Sequence, residues 1–141
     1  MAVPEGDQCV PGSNARMDDF DTGVRTRDWH PAGHSAFASS HDGKAPYELI
    51  DMPYGPQVLW PDHCVQGSAG SGLHADLNVI RANVIIRKGT NPAIDSYSAF
   101  FENDQKTPTG LEGSLKSCGV TAHTNVVPGT RLLGEVPAPA A

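Results

Sequence analysis

The sequence predicts a single α/β domain, and three observations carry that expectation. Asn83 to Lys88, "NVIIRK", is a short run rich in β-branched residues and bounded by turn formers, and it reads as the best buried strand of the chain. Gly110 to Gly119, "GLEGSLKSCG", reads as a helix with Leu111 and Leu115 four apart on one face and Gly119 as its C-terminal stop. Strands that end in loops bearing polar side chains, alternating with helices, are the pattern of an α/β domain. At 141 residues the chain fits one domain with a sizeable core.

Taken in order, residues Asn14 to Phe20 predict a short helix and Thr22 to Asp28 a strand. That strand stops where His30 meets Pro31, because the residue before a proline is pushed toward extended geometry. "QVLW" at 57–60 is a further short apolar run, followed by the 83–88 strand and the 110–119 helix. The last residues, "EVPAPAA", are Pro/Ala-rich and predict disorder. Fifteen glycines and twelve prolines, about a fifth of the chain against a usual share of roughly 12%, predict plentiful irregular backbone. Two or three strands with few helices leave open sheet edges and an uncovered face.

A formal charge of −6 without a Lys/Arg cluster argues against nucleic acid and anionic lipid as partners. The N-terminus, "MAVPEGDQCV", lacks a basic region followed by an apolar run, and no apolar stretch nears the ~20 residues that span a bilayer, so the expected location is cytoplasmic. Cys9, Cys64 and Cys118, odd in number and widely spaced, suit reduced thiols.

The chemistry concentrates in "TRDWHPAGH", Thr26 to His34. Asp28 and His30, two apart at a strand end, leave the same face while Trp29 points the other way. A carboxylate beside an imidazole, joined by His63 of "WPDHC", suits Zn²⁺, Mn²⁺ or Fe²⁺; the alternative is that Asp28 and His30 only hold a tight turn and His63 is a loop histidine. In an extended segment, Cys64 points away from whatever His63 faces and reads as a structural thiol. His34 either swings toward the same point or holds the turn by a backbone hydrogen bond, and the second is the preferred reading. His41, His74 and His123 lack a ligand spacing and are expected at solvent-exposed positions. Lys88 ends the strongest strand and either faces a cleft, where it lowers a thiol's pKa or steadies an anion, or is a solvated strand end. Trp60 and Tyr97 either stack on a flat ligand or fill the core.

"AVPEGD", "TRDWHPAGHSAFASSH", "YGPQVLWPDHCVQGSAGSGLHADL", "RKGTNPAIDSYSAFFEND" and "TPTGLEGSLKSCGV" together, in order and interval, resemble the nicotinamidase (pyrazinamidase) family of isochorismatase-like cysteine hydrolases from Ala2 to about Val120. The resemblance implies an isochorismatase-like three-layer fold with a mostly parallel sheet, incomplete here, with residues 1–120 as a partial hydrolase domain and 121–141 as an unmatched tail. It places Asp28, His30 and His63 on the family's three metal ligands, Lys88 on its catalytic lysine, and Trp60 and Tyr97 on aromatic positions of the nicotinamide pocket. One divalent ion is implied, zinc first and manganese or iron next, holding the pyridine nitrogen.

In the family, a cysteine attacks the carboxamide carbon, ammonia leaves, and water cleaves the thioester to give nicotinate. The general acid/base aspartate lies upstream of the "AVPEGD" match, and the cysteine lies in a "GLATDYCV"-like turn. Here the match begins after the first and stops before the second. Cys118, near a predicted helix C-terminus, lies where the dipole disfavours thiolate, and Cys9 and Cys64 match non-nucleophilic positions. The expectation is therefore a metal-dependent nicotinamide hydrolase of NAD salvage, truncated and inactive by itself. The rival readings are a non-catalytic metal-binding or interaction fragment and half of a split hydrolase completed by another chain. Self-association through the open edges is expected as well.

Overall fold

A computed structural model describes residues 4–120. The predicted disorder of 121–141 and the placement of His123 lie outside the described residues. Two strand pairs organise the chain. Strand β1 (Val24–Asp28) runs parallel to β4 (Val84–Lys88), in register from Val24 opposite Val84 to Asp28 opposite Lys88. Strand β2 (Leu49–Met52) and β3 (Gly55–Val58) form a separate antiparallel hairpin. Helix α1 (Cys9–Arg16) and helix α2 (Leu111–Ser117) complete the inventory, so the described residues are α/β with a parallel sheet of two strands.

Four expectations need correction. Helix α1 begins at Cys9, five residues before the predicted start, and passes through 3₁₀ geometry at Met17–Asp19. Its Pro11 occupies the third helical position, where the missing N–H is one the helix could not have bonded anyway. Strand β2 was not anticipated, because only one of its residues in two is even partly covered and Leu49 is 64% exposed. The "QVLW" run straddles the end of β3, and its last two residues pair outside it, Leu59 N–H donating to Glu48 O and Trp60 N–H to Ala36 O, both at 2.8 Å. Strand β4, read as the best buried strand, buries only one of its five residues: Ile86 is buried, but Ile85 is 48% exposed. A continuous β-branched run reads as buried on both faces only when both faces are covered.

Helix α2 ends as its sequence requires. Gly119 adopts φ 76°, its N–H donates to Lys116 O, and Val120 N–H reaches back to Leu115 O, a paired arrangement that satisfies carbonyls of the last turn. Leu111 is the buried residue of this helix.

The core is built around Phe37 and Leu59, both fully buried, with Ala36, Ala38, Trp60 and Ile86. Around it, the segment after β1 and the segment after β3 are laced together by the main chain. His30 N–H donates to Cys64 O at 3.0 Å, Gln66 N–H to His30 O at 2.8 Å, and Ala38 N–H to Trp60 O at 2.8 Å. These bonds fix one irregular segment against another and bring residues some thirty apart in sequence to one place. No helix among the described residues is long and apolar enough to cross a membrane.

Candidate metal centre

That lacing brings His63 to the end of β1. Asp28, His30 and His63 each present a ligand atom, and all three atoms lie within 4.8 Å of one another. The rings of His30 and His63 meet edge to face at 5.0 Å between centroids.

Hydrogen bonds decide which atoms are free. His30 Nδ1 lies 2.9 Å from Gly89 O and His63 Nδ1 lies 2.8 Å from Pro61 O. A carbonyl only accepts, so each Nδ1 carries the proton and each Nε2 keeps its lone pair. This arrangement, one ring nitrogen pinned to the backbone and the other free, is the one that orients a metal-ligating histidine. Burial pushes the His30 imidazole below its ordinary pKa and overcomes the attraction of Asp28, which favours the neutral form that a ligand requires. The chemistry of the donor set therefore fits a divalent cation with two imidazoles and one carboxylate.

Asp28 is shared. Its Oδ1 accepts from Lys88 Nζ at 2.5 Å, and the same ammonium donates to Ser96 O at 2.5 Å. Because Asp28 and Lys88 are register partners, β1 and β4 deliver them side by side, leaving the second carboxylate oxygen for other work. Lys88 is thus no solvated strand end: its side chain is 14% exposed. Gly89, directly after it, has φ 63°, and a Cβ there would run into the His30 ring, so both backbone conformation and space demand glycine.

His34 takes the structural role preferred for it. It is fully buried, its Nδ1 accepts from Ala36 N–H at 3.0 Å, and its Nε2 donates to Ile94 O at 3.2 Å. His74 is exposed, but His41 is a partly covered loop staple rather than a solvated residue, its Nε2 lying 2.7 Å from Ser35 O. Cys64 departs from the extended geometry expected of it, with φ 47°, although its character as an inert thiol stands: burial, then Asp28, push its pKa up, and Lys88 does not offset them. Cys9 donates its S–H to Gly6 O at 2.9 Å, and Cys118 is exposed just past the C-terminal end of α2.

Trp60 and Tyr97 come together, edge to face with centroids 6.4 Å apart. Trp60 is buried, and Tyr97 is 41% exposed. The Tyr97 oxygen lies 2.8 Å from Gln57 Nε2 and 3.2 Å from Trp60 Nε1, and both are donors, so its own O–H is free to donate outward.

Two residues of this region were missed in the sequence: Asp95, 3% exposed with its Oδ1 3.9 Å from His30 Nε2, and Gln57, 1% exposed, which donates to Asp95 Oδ2 at 2.9 Å. The available signal was weak: a carboxylate between Ile94 and a Ser-Tyr pair, and a glutamine between Pro56 and an apolar run.

No family model matches the chain. Among curated proteins, it is 53% identical over 120 residues to a nicotinamidase of Acinetobacter baylyi, a match that takes in 85% of this chain and 56% of that protein. Among solved structures, a nicotinamidase and pyrazinamidase of Acinetobacter baumanii superposes with a TM-score of 0.81 at 50% identity, covering 84% of this chain and 57% of that one. The pyrazinamidase of Pyrococcus horikoshii in complex with zinc gives a TM-score of 0.57 at 32% identity, over 83% of this chain and 54% of that one. The chain thus spans a little over half the length of the relatives it matches. Over those residues it is related to the nicotinamidases, and the elements described above are the part of their isochorismatase-like α/β fold that it spans.

Proposed function

We propose that this chain serves metal-dependent hydrolysis of nicotinamide to nicotinate and ammonia in cytoplasmic NAD salvage, and that the described residues form its metal- and ring-binding part. The observation that carries the proposal is the convergence of Asp28, His30 and His63 with both Nε2 lone pairs unengaged. Zinc is the ion we propose, on the donor set and on the zinc-bound pyrazinamidase relative.

In this reading His30 and His63 hold the ion through Nε2, and Asp28 supplies a carboxylate oxygen while its Oδ1 stays on Lys88. A cation held there by Asp28, His30 and His63 would supply a Lewis acid for the pyridine nitrogen and so orient the carboxamide. The exposed face of Tyr97 offers a platform for the ring, and its outward O–H a donor. Lys88, tethered by Ser96 O, places a positive charge where an anion develops.

A thiol nucleophile is a separate requirement. Among the described cysteines, Cys9 is engaged as a donor, Cys64 is held protonated, and Cys118 sits at the unfavourable end of a helix dipole. This favours a second reading, metal and ring binding without turnover by these residues alone. Zinc-loaded chain incubated with nicotinamide separates the two. The expected result is ring binding, lost in Asp28→Ala and His63→Ala, with ammonia at background. Ammonia release that vanishes in Cys9→Ala, Cys64→Ala or Cys118→Ala would identify a nucleophile and overturn the second reading. Equal metal content in the parent and both metal-site variants would remove the metal centre.

A further inference from the structure

Asp95 is a buried carboxylate that the reading above leaves unused. Its Oδ1 accepts from Ser96 N–H at 2.8 Å and its Oδ2 from Gln57 Nε2 at 2.9 Å, both neutral donors. Among the described residues no lysine or arginine pairs with it; His30 Nε2 lies 3.9 Å from Oδ1, and His34 is a second imidazole within the reach of its charge. Burying a carboxylate away from water costs several kcal/mol unless a cation offsets it. In the neutral imidazole, Nε2 turns a lone pair outward, which compensates nothing. A cation held on that nitrogen turns the same contact attractive.

The other side of Asp95 leads elsewhere. The Gln57 amino group that meets Oδ2 also lies 2.7 Å from Val58 O and 2.8 Å from the Tyr97 oxygen, sharing its two protons among three acceptors, and the Tyr97 oxygen in turn accepts from Trp60 Nε1 at 3.2 Å. Gln57 Oε1 accepts from Tyr54 O–H at 3.1 Å and from Asn103 Nδ2 at 3.2 Å, so the amide cannot flip without breaking its bonds. One carboxylate thereby joins the metal-facing imidazole to the aromatic pair.

We propose that Asp95 is a positioning residue that couples the metal centre to the aromatic pair, its Oδ1 side stabilising the cation held by Asp28, His30 and His63 and its Oδ2 side fixing Tyr97 through Gln57. The inference rests on the metal-centre reading. Replacement by asparagine keeps the shape and an acceptor for Gln57 but sets an amino group where Oδ1 accepts from Ser96 N–H and faces His30, removing the charge together with that one hydrogen bond.

The test is zinc affinity of the 141-residue chain, measured by competition with a chromophoric chelator, with the visible spectrum of the cobalt(II) form as a second readout. Asp95→Asn should lower affinity about 10- to 100-fold, the range for groups that support a metal's direct ligands, while leaving the cobalt band in place. Asp28→Ala should lose the band itself. In a Trp29→Phe background, which leaves Trp60 as the single indole, zinc should shift the emission of the parent and not that of Gln57→Leu. Parental zinc affinity in Asp95→Asn overturns the proposal. Should Asp95→Asn fail to fold, Gln57→Leu decides: parental affinity together with a parental emission shift overturns it. Parental zinc binding in Asp28→Ala would instead sink the metal-centre reading, so the two failures are distinguishable.

Discussion

The two faces of the β1–β4 pair carry charge in opposite ways. On one face Asp28 and Lys88 are register partners of opposite sign, and the ammonium between Asp28 Oδ1 and Ser96 O has little freedom left. On the other, the register partners Arg27 and Arg87 have the same sign, and both guanidinium groups lie over the Trp29 indole, their carbons 4.3 and 4.5 Å from its ring. Cation–π contact there takes the place of a counter-ion, at about 0.5–1 kcal/mol per pair. The Nε atoms of Arg25 and Arg27 are buried without a partner, and Ile85 on the same side is half exposed. The difference shows where the sequence is tightly specified: the face that gathers Asp28, Lys88 and the two histidines is over-determined by hydrogen bonds, and the arginine face is not.

If that contrast is right, substitutions on the first face should be costly and those on the second mild. The largest effect is expected for Gly89→Ala, which combines a left-handed backbone with a collision against His30; a loss of about 3 kcal/mol in chemical denaturation is expected, with disturbed zinc binding. His63→Ala should lower zinc affinity at least about a hundredfold, roughly 2.7 kcal/mol, in the chelator competition, without a comparable loss of stability. Acid comes next. Burial holds both His30 and His34 below the ordinary value of 6.5, so between the folded and unfolded pKa values the unfolded chain binds more protons. Stability of the metal-free chain is therefore fully present above about pH 6.5 and falls as pH drops below it, by up to about 1.4 kcal/mol per pH unit for each imidazole. Denaturation midpoints from pH 7.5 to 5 check this, and His34→Gln should flatten the slope. The smallest effect belongs to the second face: Arg87→Ala should change stability by no more than about 1 kcal/mol. A loss as large as that of Gly89→Ala would erase the distinction between the faces.

What was readable in the sequence was local. The β-branched run at 83–88 gave a strand, Gly119 a helix stop, and the two-residue spacing of Asp28 and His30 a shared face, because each depends on residues next to one another. The resemblance to nicotinamidases was carried by motifs of the same kind, contiguous and ungapped, and the relatives bear it out over 120 residues. What the sequence determined, then, was which residue types stand at which positions, and with them the strand, the helix end and the family. Only the tertiary structure decided the rest. The protonated nitrogen of each histidine follows from Gly89 O and Pro61 O, neither of which is a side chain that a motif could display. Whether Ile85 is covered depends on what packs over it, and the burial of Asp95 beside His30 and of Gln57 beside Asp95 follows from segments brought together across 65 and 38 positions of chain. Periodicity and spacing report on neighbours along the chain, whereas a buried carboxylate acquires its meaning from neighbours in space.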